Sequence, residues 1–214
     1  MDIHPPHGPV NSFKDFFLHL LTVILGILIA LSLEGLIEWR HHRSLADEAR
    51  ANLTAEIREN RRLLEGGLAA APDAEQRLKA TIEAIEAYRS NRRDDRTSKL
   101  NWSFGMFPLS ATAWSTATST GALSYMDYSE VQGYTRAYVL QGEFMTMQQS
   151  TLGTWLDLQK WLARRNAGGS LSDLNNGELS QVEAEASAAL LHTETEEEFA
   201  KDLVQQYTKL VGEK

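Results

Sequence analysis

Residues Phe16 to Ile37 read FFLHLLTVILGILIALSLEGLI, and from Leu20 to Leu33 they include no charged side chain. At 1.5 Å per residue, a helix of this length is roughly 33 Å long, about the thickness of the hydrocarbon layer of a bilayer. A core helix rarely stays apolar for so long, and a cleaved signal peptide has a shorter apolar region followed by a small-residue cleavage site. The stretch therefore predicts a transmembrane anchor over residues 12–38, with the core helix and the signal peptide as its alternatives.

The flanks of the anchor indicate its surroundings and its orientation. Residues 1–11 hold three of the five prolines and predict a disordered tail. Basic residues favour the cytoplasmic side of a membrane. Lys14 and the amino terminus precede the span, whereas four arginines follow it within about twenty residues, namely Arg40, Arg43, Arg50 and Arg58. We therefore expect the part of the chain after the anchor to lie in the cytoplasm.

Composition limits the class of protein. The remainder of the 214 residues is enough for one domain, residues 39–214. The net charge of −8 disfavours a nucleic-acid partner, because binding to phosphates requires a basic face. The chain has no cysteine, which excludes disulfides, thiolate catalysis and cysteine-ligated metals.

Helical patterns follow the anchor to the end of the chain. The first helix is predicted to run from a cap at Ser12 to Gly66-Gly67, and a second to begin at Pro72. A third is predicted from Ser129 to near Arg165, and a last one from Leu179 onward with a break near His192-Thr193 and a restart at Thr195. The fold class predicted is all-α: the transmembrane helix is continuous with a long helix of an elongated antiparallel bundle.

The third of these helices carries a heptad pattern. Residues suited to a buried seam recur at spacings of three and four, a pattern typical of a coiled coil or a helix bundle. They are Val131, Tyr134, Tyr138, Gln141, Met145, Gln148, Leu152, Trp155, Gln159 and Leu162. The glutamines among them predict a bundle seam rather than a stable isolated coiled coil.

Residues 100–126 contain no charge but nine serines and threonines, too polar for a second span. Leu100 to Met106 alternate like an extended segment, after which Ser110 is predicted to cap a short helix that ends at Gly121. The segment is interpreted as an aromatic plug that fills the bundle. The alternative is a ligand pocket lined by Trp102, Trp114, Tyr125 and Tyr128.

One face of the anchor differs from the others. Thr22, Gly26, Ala30 and Glu34 lie four residues apart and place small and polar groups on one ridge. Helices associate in lipid through close approach at small residues and through hydrogen bonds, because no hydrophobic driving force acts between them there. This association face predicts a homo-oligomer or a membrane-protein partner. For Glu34 the alternative to a role in association is that its carboxylate reaches the water at the lipid headgroups.

The titratable residues do not form a recognisable catalytic or metal-binding pattern. His41 and His42 are adjacent, so on a helix they point about 100° apart and do not converge on one ion. No nucleophile–base arrangement, paired carboxylates or phosphate-binding glycine loop is evident. We predict neither an enzyme nor a cofactor.

The segment TVILGILIAL, from Thr22 to Leu31, is followed by Glu34, Trp39 and a charged helix with Leu53, Glu56 and Asn60. In these residues the chain resembles uncharacterised bacterial single-pass membrane proteins that are classed as domains of unknown function. Trp114 followed by Thr120-Gly121-Ala122-Leu123 also resembles their central segment. The resemblance covers about 60 residues well, implies a bacterial inner-membrane protein with a helical domain, and supplies no activity. Many of those proteins have a basic amino terminus where this chain has a tail of proline and histidine.

Together these patterns favour a membrane-anchored, non-enzymatic scaffold or interaction subunit. The alternative is a small-molecule sensor whose pocket lies within residues 100–128.

Overall fold

The computed structural model describes residues 13–90, 105–166 and 174–212. Regular structure in these ranges is helical throughout, which confirms the all-α prediction. The helices are α1 (Phe13–Arg89), α2 (Thr112–Ser119), a 3-10 turn (Ala122–Tyr125), α3 (Tyr128–Asn166) and α4 (Asn176–Val211). The predicted tail and the extended segment from Leu100 to Phe104 lie outside the described residues.

The chain forms two compact units, Met1–Glu48 and Ala49–Lys214. The second unit, a helical bundle, thus begins at Ala49, whereas the predicted domain begins at residue 39. In the first unit every residue from Phe13 to His41 is exposed. α1 contains an apolar stretch long enough to cross a membrane, and no residue of that stretch is buried within the structure. A core helix would be covered by its own domain, so α1 is not one over this stretch.

The prediction that the first helix ends at Gly66-Gly67 is wrong, because α1 continues through both glycines and through Pro72. Each glycine costs about 1 kcal/mol relative to alanine, and a proline within a helix about 3 kcal/mol. The buried face nevertheless continues at spacings of three and four beyond the glycines to Leu78 and Ile85, and both side chains are fully buried. Pro72 is exposed, so its ring does not enter the core.

The directions of the helices follow from their side-chain contacts. Position 50 of α1 contacts position 130 of α3, and position 60 contacts position 141, so α1 and α3 run parallel within the bundle. Position 89 contacts position 183 of α4, and position 79 contacts position 194, so α4 is antiparallel to α1. The predicted antiparallel packing therefore holds for α4 and not for α3. Because α1 does not turn back at Gly67, the described residues after the gap run back along it: Phe107 lies against Gly67, Ser110 against Asn60 and Glu130 against Arg50.

The last helix is also continuous, and the predicted break near His192-Thr193 is absent. Asn175 caps α4 in a capping box with Glu178, so the helix begins three residues before Leu179, its predicted start. The hydroxyls of Thr193 and Thr195 donate to carbonyls four residues earlier, at 2.8 and 2.7 Å, and so satisfy themselves inside the helix. Thr195 therefore does not start a helix.

The predicted heptad positions of α3 are buried only in part: Val131, Met145, Leu152 and Gln159 are half-buried, and the side chain of Leu162 lies outside the described residues. Five of them are buried, namely Tyr134, Tyr138, Gln141, Gln148 and Trp155. One core cluster joins α1, α3 and α4, and its largest members are Leu78, Ile85, Trp155, Leu158 and Leu179. The glutamines at buried positions have polar partners, and these partners define the site below.

Candidate functional site

A cavity of about 400 Å³ lies between α1, residues 105–108, α3 and α4, and it is open to the surface where Ala70, Met106 and Pro108 are exposed. Its α1 wall contains Gly67, Ala71 and Ala74, which follow the buried face of that helix but carry almost no side chain. Met106 and Phe107 line a second side, and Trp155 of α3 a third. The side chains of Ala71 and Ala74 are too small to fill the space, whereas at Gly67 the ring of Phe107 already lies against the backbone.

Glu196 of α4 is the buried polar group of this cavity. It lines the space, its side chain is only 5% exposed, and its Oε2 has no hydrogen-bond partner among the described residues. Burial raises the pKa of Glu196, and a hydrogen bond with Thr151 offsets this only in part. A carboxylate held in an apolar wall without a full set of partners is costly, so its presence calls for a physical reason.

Gln148 of α3 connects Glu196 to the opposite wall. With its amide turned so that both ends are satisfied, Oε1 accepts from Phe107 N at 2.8 Å and Nε2 donates to Phe107 O at 3.2 Å. The amide atom that faces Phe107 N lies 3.4 Å from Oε1 of Glu196. In the satisfied orientation that atom is an oxygen, so a hydrogen bond between the two side chains requires a proton on Glu196. This geometry agrees with the raised pKa.

The other polar side chains of the lining are those of Arg77, Thr193 and Glu197. Burial raises the pKa of Glu197, and the neighbouring carboxyl of Glu75 raises it further. Lys201 lies 3.3 Å from Glu197 and opposes that shift. The walls thus carry two carboxyl groups against one guanidinium.

A second polar cluster fixes the segment that forms the cavity wall. Ala111 occupies the N-cap of α2 without a side-chain hydrogen bond, so the prediction that Ser110 caps this helix is wrong. Glu56 of α1 supplies the cap instead, because its Oε2 accepts from Ala113 N at 2.9 Å and from Ser110 Oγ at 2.7 Å. Its Oε1 accepts from the hydroxyl of Tyr138 at 2.7 Å. Burial raises the pKa of Glu56, but these hydrogen bonds outweigh it and hold the pKa below its ordinary value.

Asn60 and Gln141 hold the backbone of Ser110. Asn60 Oδ1 accepts from Ser110 N at 2.9 Å, and its Nδ2 donates to Ser110 O at 2.7 Å. Gln141 Nε2 donates to the same carbonyl at 2.9 Å, and its Oε1 accepts from the hydroxyl of Tyr207 at 2.5 Å. Both amides lie at buried positions of the predicted helical stripes, and both are fully used here.

The described residues of the predicted aromatic pocket, Trp114, Tyr125 and Tyr128, do not line the cavity described above. Trp114 stacks on Tyr138, with ring centroids 5.1 Å apart and planes at 19°. Tyr125 is 46% exposed and Tyr128 78% exposed. Trp102 lies outside the described residues. The plug interpretation fits Phe107, whose ring lies 5.7 Å from that of Phe144 in the core.

The predicted association face of the anchor is exposed along its whole length, at Thr22, Gly26, Ala30 and Glu34. The Thr22 hydroxyl donates to Leu18 O at 2.8 Å within the helix. No atom lies within 4 Å of the place where a Cβ on Gly26 would stand. Association through this face stays a prediction.

The sequence patterns did not single out Glu196, although a signal for it was present. The predicted buried residues in the first part of α4 end at Ala189, before the supposed helix break. Continuing the same spacing of three and four places Thr193, Glu196, Ala200 and Leu203 on the buried face, as the structure does for the last three. The predicted break hid this register.

Within the described ranges, no three side chains of the kinds that ligate metals come together. Comparison with models of protein families, with curated proteins and with solved structures gives no match to this chain.

Proposed function

We propose that the protein is a single-pass membrane protein that acts as a non-enzymatic interaction subunit, with the bundle as its partner-binding part. One observation carries the proposal: the segment from Phe16 to Ile37 is apolar, helical and wholly exposed. Exposing so much apolar surface to water is unfavourable at about 25 cal/mol per Å², whereas a bilayer accepts it. The same helix, α1, continues into the bundle, so the anchor holds the bundle at the membrane.

Membrane insertion is tested by extracting membranes from cells that express the full chain with alkaline carbonate. We expect the protein to stay in the membrane pellet and to be released only by detergent. A variant with Leu25→Arg and Leu28→Arg should shift to the soluble or aggregated fraction, because a charge near the bilayer centre costs about 2.5–3.5 kcal/mol per residue. Release of the unaltered chain by carbonate would overturn the anchor.

A reporter that is active on only one side of the membrane, fused after Lys214, tests the orientation. The arginines after the span favour activity of a cytoplasmic reporter. Activity of a periplasmic reporter instead would place the bundle outside and leave the anchor intact.

Self-association through the anchor is tested separately. Gly26→Ile fills the small-residue face, whereas Gly35→Ile makes the same change nine residues later, about 180° around the helix. On both glycines the position that a Cβ would occupy has no atom within 4 Å, so neither change disturbs the chain's own packing. We expect Gly26→Ile to lower the mass of the particle in detergent, measured by light scattering, and Gly35→Ile to leave it unchanged. Equal masses for all three proteins would remove the association face.

A further inference from the structure

We propose that Glu196 and Gln148 form a proton-dependent latch: neutral Glu196 lets Gln148 hold residues 105–108 against the bundle, and ionisation of Glu196 releases them. This inference goes beyond the interaction role proposed above, since it gives the bundle two states that a change of pH interconverts.

The latch depends on one atom position of the Gln148 amide, which faces two groups at once. The atom in that position lies 2.8 Å from Phe107 N and 3.4 Å from Oε1 of Glu196. As an oxygen it accepts from the N–H of Phe107, while the other end of the amide donates to Phe107 O at 3.2 Å. An ionised Glu196 then presents one acceptor to another, whereas a protonated Glu196 donates to the amide oxygen.

Turning the amide over does not remove this conflict. Gln148 would then donate to an ionised Glu196, but its NH2 group would face the N–H of Phe107. Phe107 O would keep its hydrogen bond from Leu109 N at 2.9 Å, so the N–H of Phe107 is the group that loses its partner. A buried donor without an acceptor is unfavourable, so ionisation of Glu196 weakens the attachment of Phe107.

The attachment of residues 105–108 depends largely on Phe107. The other three residues of this segment are exposed, whereas the Phe107 ring lies against Gly67 and 5.7 Å from the ring of Phe144. Ser110 is held separately by Asn60 and Gln141. Release of Phe107 therefore moves the cavity wall and leaves the start of α2 in place.

The groups around Glu196 determine which of them responds to pH. On α3 its neighbours are the neutral side chains of Thr151 and Gln148, and residues 105–108 carry no charge. Burial raises the pKa of Glu196, so its neutral form persists at a pH at which an exposed glutamate is ionised. Three other titratable or charged groups face it: Arg77 of α1 and Glu197 of α4 line the same cavity, and His192 lies one turn earlier on α4. Glu197 has Glu75 and Lys201 beside it.

The test measures the position of residue 106 as the pH changes. The chain has no cysteine, so spin labels can be attached to two introduced ones, Met106→Cys and Gln132→Cys, both at exposed positions. Double electron–electron resonance gives the distance between the labels in the full chain in detergent micelles, from pH 4.5 to pH 8. Circular dichroism checks that each variant is folded at each pH.

Four variants of the labelled chain separate the groups involved. Glu196→Gln stays neutral and donates to the Gln148 oxygen as a protonated carboxyl does. Glu198→Gln is the matched control, because it makes the same change on a side chain that is 75% exposed. His192→Gln removes the other titratable group on that face of α4. Gln148→Met removes the amide and so the latch itself.

We expect one narrow distance at pH 4.5 and a second, broader set that grows toward pH 8. The ratio of released to latched chains should rise about tenfold for each pH unit between the pKa values of Glu196 in the two states, and level off above the higher one. Glu198→Gln and His192→Gln should behave in the same way, Glu196→Gln should keep the narrow distance throughout, and Gln148→Met should show the broad set already at pH 4.5.

The proposal is overturned if the distances in the unaltered chain do not change with pH, or if Glu196→Gln changes as the unaltered chain does. It is also overturned if Glu198→Gln or His192→Gln loses the change, or if Gln148→Met keeps the narrow distance at every pH. None of these outcomes affects the membrane anchor.

Discussion

Replacing Glu56 by alanine removes the group that fixes residues 110–113 to α1. The carboxylate accepts three hydrogen bonds, from Ser110, Ala113 and Tyr138, at 2.7–2.9 Å. A hydrogen bond to a charged group contributes about 1.5–3 kcal/mol, but Glu56 is only half-buried and water replaces part of each bond in the variant. We therefore expect Glu56→Ala to lower the free energy of unfolding of the bundle by about 3 kcal/mol.

The measurement is urea unfolding of the full chain in detergent micelles at pH 7, followed by tryptophan fluorescence. Glu56→Gln keeps an oxygen for Ala113 and Ser110 and loses mainly the charge at the start of α2, so we expect a loss of about 1 kcal/mol. Glu59→Ala is the control, because Glu59 is exposed on the same helix and pairs only with Arg62 among its described contacts. Equal unfolding midpoints for Glu56→Ala and Glu59→Ala would refute the role assigned to Glu56.

Three further outcomes are expected in the same unfolding assay. A Cβ at Gly67 would overlap the ring of Phe107, so Gly67→Ala should destabilise the bundle by about 1–3 kcal/mol. A Cβ at Gly66 meets nothing within 4 Å, so Gly66→Ala should stabilise the bundle by up to about 1 kcal/mol. The opposite order of stabilities would contradict the packing of Phe107. Tyr207→Phe should cost about 1 kcal/mol through the hydrogen bond that its hydroxyl donates in the core, and no change would mean that the bond contributes nothing. Burial raises the pKa of Glu196 above its ordinary value of 4.5, so the unaltered chain loses stability as pH rises through the folded pKa. The free energy of unfolding of Glu196→Gln, relative to that of the unaltered chain, should therefore grow from pH 4.5 to pH 8. A difference that is constant with pH would show that the folded and unfolded pKa values of Glu196 are the same.

Periodic segments were predictable from the sequence. The buried face of α3 was predicted correctly at Tyr134, Tyr138, Gln141, Gln148 and Trp155, because a heptad pattern held over several turns limits the ways to bury its apolar residues. At Met145 and Leu152 the preceding residues, Phe144 and Thr151, are the buried ones. Gly121 was correctly placed in a left-handed conformation, with φ of 73°, since glycine adopts it without strain. The uncharged stretch after Leu20 also predicted the exposed apolar helix correctly, because composition over many residues outweighs any local signal.

Local signals failed where packing on both sides outweighed them. Gly66-Gly67 and Pro72 are ordinary helix terminators, but the burial of Leu64 and Leu78 on one continuous face offsets their cost. His192-Thr193 was predicted to interrupt α4, yet Ala189 and Ala200 are buried on either side. These two errors explain why the sequence did not predict the candidate site. The α1 wall of the cavity and Glu196 both lie in the stretches where the helices were predicted to stop.

The polar residues of the helix seams have a common cause. Residues 105–111 have no regular secondary structure, yet the chain passes between α1 and α3 there, so its backbone groups need partners inside the bundle. Asn60 satisfies both backbone groups of Ser110, and Gln148 satisfies both of Phe107. A leucine at either position would leave the backbone N–H of Ser110 or of Phe107 without its partner, at about 1–3 kcal/mol. The two carbonyls would keep the hydrogen bonds from Gln141 Nε2 and from Leu109 N. The amides at heptad positions are therefore required by the inserted segment, and by holding Phe107 against Gly67 they also determine where the wall of the cavity stands.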